Sequence, residues 1–143
     1  MKIILSLLFA INLLFAQMEY SDPQPDFENP RKMVIQIGTN DDKKIEQILN
    51  SVSNIMKEYP SGTLEVSIVA YYNGLKVLKK EDNHFKKRIE SFMQSDIEFI
   101  ACENTMSSKK WMKEMMIEDI SYVQAGLAEV MERVVDGWIN IRP

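Results

Sequence analysis

Apolar positions along the chain recur with two periods, and the switch between them lays out the fold. Residues 32–38, Lys-Met-Val-Ile-Gln-Ile-Gly, are a short apolar run closed by glycine, which suits a buried strand. Over residues 41–59 the spacing changes. Ile45, Ile48, Leu49, Val52, Ile55, Met56 and Tyr59 fall on one helical face. Thr39 or Asn40 is placed to cap that helix, Asp41 and Asp42 suit its positive first turn, and Pro60-Ser61-Gly62 stops it. Residues 64–70 read as a second strand. Asn73-Gly74 opens a short helix carrying Leu75 and Leu78, and another follows with Phe85, Ile89, Phe92 and Met93 on one side. Residues 97–102 form the third strand. Trp111, Met112, Met115 and Met116 mark a further helix, capped by Thr105 or Ser107. Residues 120–123 make a fourth strand. Leu127, Val130, Met131, Val134 and Val135 stripe the last helix, Asp136-Gly137 ends it, and residues 138–141 close as a fifth strand.

Strands separated by helices imply right-handed crossovers. The expected fold class is therefore α/β, a three-layer α/β/α domain with a mostly parallel sheet of about five strands. In such sheets chemistry gathers beyond the carboxyl ends of the strands. Here those loops are 38–41, 70–74, 102–107 and 124–126.

The chain start has a different pattern. Lys2 is followed by an apolar stretch from Ile3, interrupted only by Ser6 and Asn12, with Ala16 before Gln17. Residues 1–16 read as a secretory signal peptide. As a helix the apolar stretch would reach about 21 Å, short of the hydrocarbon core of a bilayer. Residues 17–31, with Pro23, Pro25 and Pro30, read as a disordered linker, and residues 32–143 as the domain. The expected location is periplasmic or secreted, with no membrane attachment after cleavage.

Composition narrows the chemistry. With 17 basic against 21 acidic residues among 143, a formal net charge of −4 argues against binding a nucleic-acid backbone. One Cys excludes a disulfide framework and a zinc ribbon, and one His excludes a site needing two imidazoles. The loop Gly38-Thr39-Asn40-Asp41-Asp42 lacks the glycine spacing and the lysine of phosphate-binding loops, and its aspartates would repel a phosphate. No cofactor is expected. Cys102 and Met106 have the softness for Cu(I), but Met112, Met115 and Met116 share a face with Trp111, where Met is ordinary core filler, so no metal site is expected.

Cys102 is the informative residue. It ends a buried strand and leads into a turn and helix, which places its sulfur on the functional edge near a helix N-terminus that favours thiolate. An exported chain with one unpaired Cys carries a reactive thiol or an intermolecular partner. The flanking Glu103-Asn104-Thr105 is polar, unlike a core continuation. Glu103 would raise the thiol pKa if it faced the sulfur, while a helix dipole would lower it. His84 lies between helices, and nothing places it beside Cys102.

The stretch Phe99-Ile100-Ala101-Cys102-Glu103-Asn104-Thr105-Met106 resembles the DsrE/DsrF-like family of sulfur-relay proteins. The resemblance extends over residues 32–143. It includes Gly38, the Ala70-Tyr71-Tyr72-Asn73-Gly74-Leu75 turn, the Gly126-Leu127-Ala128-Glu129 helix start and the closing Gly137-Trp138-Ile139-Asn140-Ile141-Arg142-Pro143. It implies a three-layer α/β/α fold, assembly into homo-oligomers, sulfur donor and acceptor proteins as partners, and persulfide sulfur carried on Cys102. The chain departs from many relatives in having Tyr71 in place of His and Glu103 in place of Gly. The expected function is a sulfur-binding or sulfur-transfer protein with Cys102 as its reacting residue. Thr39, Asn40, Tyr71, Asn73, Glu103, Asn104 and Thr105 are the candidate ligand-binding residues. The competing expectation is a non-catalytic oligomeric module in which Cys102 is inert and the same edge holds a small ligand or partner.

Overall fold

A computed structural model describes residues 18–143; the expected signal peptide lies outside the described residues. Five strands carry the sheet: β1 (Arg31–Ile37), β2 (Leu64–Ala70), β3 (Glu98–Cys102), β4 (Ser121–Val123) and β5 (Ile139–Ile141). All pairings are parallel, in the order β4-β3-β2-β1-β5. The α helices are α1 (Asp42–Glu58), α2 (Lys86–Met93), α3 (Glu103–Lys109) and α4 (Gly126–Val135), with 3-10 segments at Tyr72–Leu78 and Lys113–Met115. The α/β class and the five-stranded sheet match the reading of the sequence, and the sheet is parallel throughout.

Alternation along β1 divides the core. Met33, Ile35 and Ile37 pack with Ile45, Leu49 and Val52 of α1, Leu75 and Leu78, Ile89 and Phe92 of α2, and Met106 of α3. Val34 points the other way and joins Val69, Ile100 and Val130 of α4. Handedness explains this division. The steps from β1 through β4 run in one direction across the sheet, so right-handed crossovers put their connections on one face. The step from β4 to β5 returns past the whole sheet, so α4 lands on the opposite face. The chain thus leaves β3 toward one face and β4 toward the other. That divergence opens a crevice beyond the ends of these two neighbouring strands, where doubly wound sheets hold their ligands.

Several local expectations are corrected. Asp41, not Thr39 or Asn40, caps α1. Its carboxylate accepts from the N–H groups of Lys43 and Lys44 at 3.0 and 3.3 Å, while Thr39 accepts from the N–H of Asp41 at 3.1 Å. A carboxylate fits the positive helix start better than a hydroxyl. The helix after β3 begins at Glu103, with Cys102 rather than Thr105 or Ser107 at its N-cap position. Lys110 ends it in a left-handed conformation (φ 55°), so Trp111, Met112, Met115 and Met116 do not form an α-helix. Of the three methionines there only Met116 is buried, and Met112 is 60% exposed. In α4 Val130 alone of the expected stripe is buried; Leu127, Met131, Val134 and Val135 are exposed.

The leader before β1 has no helix or strand among residues 18–30, yet it is attached. Tyr20 stacks on Tyr59 with ring centroids 5.3 Å apart, and its hydroxyl donates to the Glu58 carbonyl. Arg31 donates to the carbonyls of Ser21 and Pro23, both at 2.7 Å. Composition did not foretell these contacts, because they depend on where α1 ends.

Candidate functional site

Cys102 is the last residue of β3, and alternation from Ile100 points its side chain to the α4 face. The residue is 5% exposed. Its sulfur accepts a hydrogen bond from the Gly126 N–H at 3.3 Å, the first residue of α4. A glycine is needed there. A Cβ at Gly126 would sit 3.2 Å from the Cys102 Cβ and 3.1 Å from Val69 Cγ1, holding α4 away from the sulfur. The protonated thiol has an outlet as well, donating to the Gln124 carbonyl at 3.9 Å.

Thr105, one turn into α3, is buried, and its Oγ1 accepts from the Tyr72 N–H at 3.0 Å. Burial pushes the Cys102 thiol up; the Thr105 hydroxyl and the N–H groups of Gly126, Thr105 and Asn104 pull it down, and the net direction is below its ordinary value. The Asn104 N–H is already bonded to the Gln124 carbonyl at 3.0 Å, so the Gly126 N–H is the backbone donor best placed to serve the sulfur.

Two tyrosines frame the opening. The Tyr71 hydroxyl donates to Gln36 Oε1 at 2.9 Å, and Gln36 Nε2 donates to Asn140 Oδ1 at 3.0 Å. Gly38 lets the Tyr71 ring approach, since a Cβ there would come within 3.0 Å of it. Tyr72 holds a left-handed backbone (φ 47°), unusual for a bulky side chain, and is 63% exposed. Together Tyr71, Tyr72, Cys102, Asn104, Thr105, Ser108, Ala125, Gly126 and Leu127 line a cavity of about 260 Å³.

The fold brings together four of the candidate residues, Cys102, Tyr71, Asn104 and Thr105, and leaves the others outside that lining. Thr39 serves the turn before α1, and the Asn40 carbonyl accepts from Lys76 Nζ at 2.8 Å. The Asn73 amide oxygen accepts from Lys109 at 3.3 Å. Glu103 reaches the Lys113 ammonium at 2.7 Å and lines the neighbouring groove with Trp111 and Met112. Its charge is partnered there rather than set against the sulfur. Met106 packs into the larger core and is not part of the lining, so Cu(I) would find no second soft ligand from it there. His84 is exposed, 3.7 Å from Asp42. The candidate residues did not include Tyr72, Ser108, Ala125, Gly126 or Leu127 of the lining, although Tyr72, Ala125 and Gly126 lie in the flagged loops 70–74 and 124–126. The signal for Leu127 was its place just after the loop that ends β4.

A larger groove, about 580 Å³, opens at the other end of β3 among Lys80, Lys86, Glu90, Glu118 and Asp119. It has mixed charge and no thiol, and it lies away from the crevice between the carboxyl ends of β3 and β4.

No protein-family model matches the chain, and no curated protein does. Among solved structures the chain is similar to a protein of unknown function, MTH1491, from Methanobacterium thermoautotrophicum. The identity is 25% and the TM-score 0.75, over 79% of this chain and 99% of that one, so the two share the α/β fold.

Proposed function

We propose that this protein carries sulfur on Cys102, as an exported member of the DsrE/DsrF-like group acting between sulfur donor and acceptor proteins. One observation carries the reading. The single thiol lines a cavity between diverging connections, with the Gly126 N–H donating to it at 3.3 Å and the Thr105 hydroxyl among the groups that hold it below its ordinary value. These donors favour the thiolate, which is the nucleophile, and they would equally hold the charge of a persulfide anion. Loading is a displacement. The Cys102 thiolate attacks the outer sulfur of R–S–SH, an Sγ–S bond forms, the S–S bond to R breaks, and R–S⁻ leaves with the electron pair. Unloading to an acceptor thiolate is the same step reversed. No oxidant is consumed. The exposed stripe Met131, Val134 and Val135 on α4 supports assembly into homo-oligomers, because an apolar helix face of this kind is ordinarily covered.

Incubation with a hydropersulfide donor is expected to add about 32 Da, one sulfur atom, to Cys102. The gain should be absent in Cys102→Ser and lost on transfer to an acceptor thiol. An unmodified folded protein would refute the reading. The competing reading, a binding module with an inert thiol, is favoured by the 5% exposure of Cys102. Alkylation slower than in the unfolded chain at neutral pH would decide for it.

A further inference from the structure

The cavity over Cys102 has no charged side chain in its lining apart from the sulfur when ionised. Tyr71, Tyr72, Ala125 and Leu127 give ring and aliphatic walls, and the polar groups beside them are amides and hydroxyls. The cations around it are engaged, beginning with Arg142, whose Nη2 donates at 3.4 Å to the Gln36 Oε1 that also accepts the Tyr71 hydroxyl. Lys113 holds Glu103 at 2.7 Å, and Lys109 donates to Asn73 at 3.3 Å and lies 5.4 Å from the Trp111 ring centroid. The whole chain carries a net charge of −4. An oxyanion approaching the thiolate would therefore meet repulsion with no cationic side chain in the lining to offset it, in a site partly screened from water. At about 260 Å³ the space suits a small molecule or one side chain.

Resting on the sulfur-carrying reading, we infer that the cavity selects an uncharged organic sulfur compound with a small apolar substituent, an organic polysulfide or a hydropersulfide in its protonated form, over inorganic oxyanion donors. For an organic trisulfide, the Cys102 thiolate attacks an outer sulfur. An Sγ–S bond forms, the adjacent S–S bond breaks, R–S–S⁻ leaves with the electron pair, and Cys102 is left as the mixed disulfide Sγ–S–R. The trisulfide thus reports which compounds enter the cavity, while persulfide loading itself requires the hydropersulfide step above. Tyr72 and Leu127 stand exposed at the rim, where they meet the substituent first.

The test uses the full folded protein with two probes, dimethyl trisulfide and thiosulfate. Each rate at Cys102 is divided by that of 2-mercaptoethanol with the same probe, which removes intrinsic reactivity. The expected result is a normalised preference of about tenfold or more for the trisulfide. Leu127→Lys, at a position outside the core, should narrow that preference by speeding thiosulfate. Should this variant fail to fold, the native ratio alone decides. Equal normalised rates, or faster reaction with thiosulfate, would overturn the selection and leave the sulfur-carrying reading standing. No adduct at Cys102 from either probe would overturn both.

Discussion

Replacing Thr105 by Val keeps the branched shape of a buried side chain and deletes its hydroxyl, which serves two partners at once. The oxygen accepts from the Tyr72 N–H at 3.0 Å, and the hydroxyl is among the groups that hold the Cys102 thiol below its ordinary value. A hydrogen bond to a charged group contributes about 1.5–3 kcal/mol, so its loss should raise the pH midpoint of the thiol by about one to two pH units. The Gly126 N–H remains, so the midpoint should stay below that of a thiol buried without donors. A second cost appears in stability. The Tyr72 N–H loses its acceptor, at about 1–2 kcal/mol if water does not replace it. Iodoacetamide alkylation of Cys102, followed against pH, reads the first effect, and urea unfolding reads the second. Thr105→Ser restores the hydroxyl and should recover most of the midpoint. If Thr105→Val alkylates with the native pH dependence while folded, the donor argument for the thiolate is wrong.

Glu98 supplies a different pH dependence. Burial pushes its carboxyl up, but the hydroxyls of Ser67 and Ser121 and the Arg133 guanidinium pull it down further, leaving it below the ordinary glutamate value. A depressed carboxyl adds stability that is present above its unfolded pKa and is lost as pH falls through the folded one. Glu98→Gln should cost about 0.5–1 kcal/mol in urea unfolding at neutral pH, solvent screening of its partly exposed carboxylate allowed for, and almost nothing in strong acid, and an equal cost at both pH values would contradict this. Met131→Asp, on the exposed stripe of α4, should lower the mass seen by sedimentation at a given concentration, weakening association about tenfold or more; a native chain that sediments as a monomer would remove the basis for that stripe as a contact. Tyr72→Gly relieves a left-handed backbone by about 1 kcal/mol while removing an exposed ring, so stability in urea should hold or rise as sulfur exchange slows.

The sheet was legible because burial leaves a dense trace. β2 and β3 are apolar runs between turn residues, and α1 carries its inner face at helical spacing with Asp42 in the first turn. Cys102 was legible for the same reason, as the polar-flanked end of such a run. Periodicity marks burial rather than backbone shape, and there the reading failed. α3 buries only Thr105 and Met106, so its sequence has no stripe to find, while Trp111 and the methionines after it mimic one. α4 carries its apolar residues as one stripe, and sequence alone does not say that of these only Val130, at the stripe's edge, turns inward. The direction of Glu103 depends on the position of Lys113, ten residues on, after a left-handed turn at Lys110. Tyr72 was hidden because nothing in its side chain foretells a positive φ.

The most direct measurement is the mass of the Cys102-containing peptide from native protein isolated without reductant. The account predicts a fraction bearing one additional sulfur on Cys102, discharged by dithiothreitol. A peptide found only as the bare thiol, even after the folded protein has been exposed to a hydropersulfide, would contradict it.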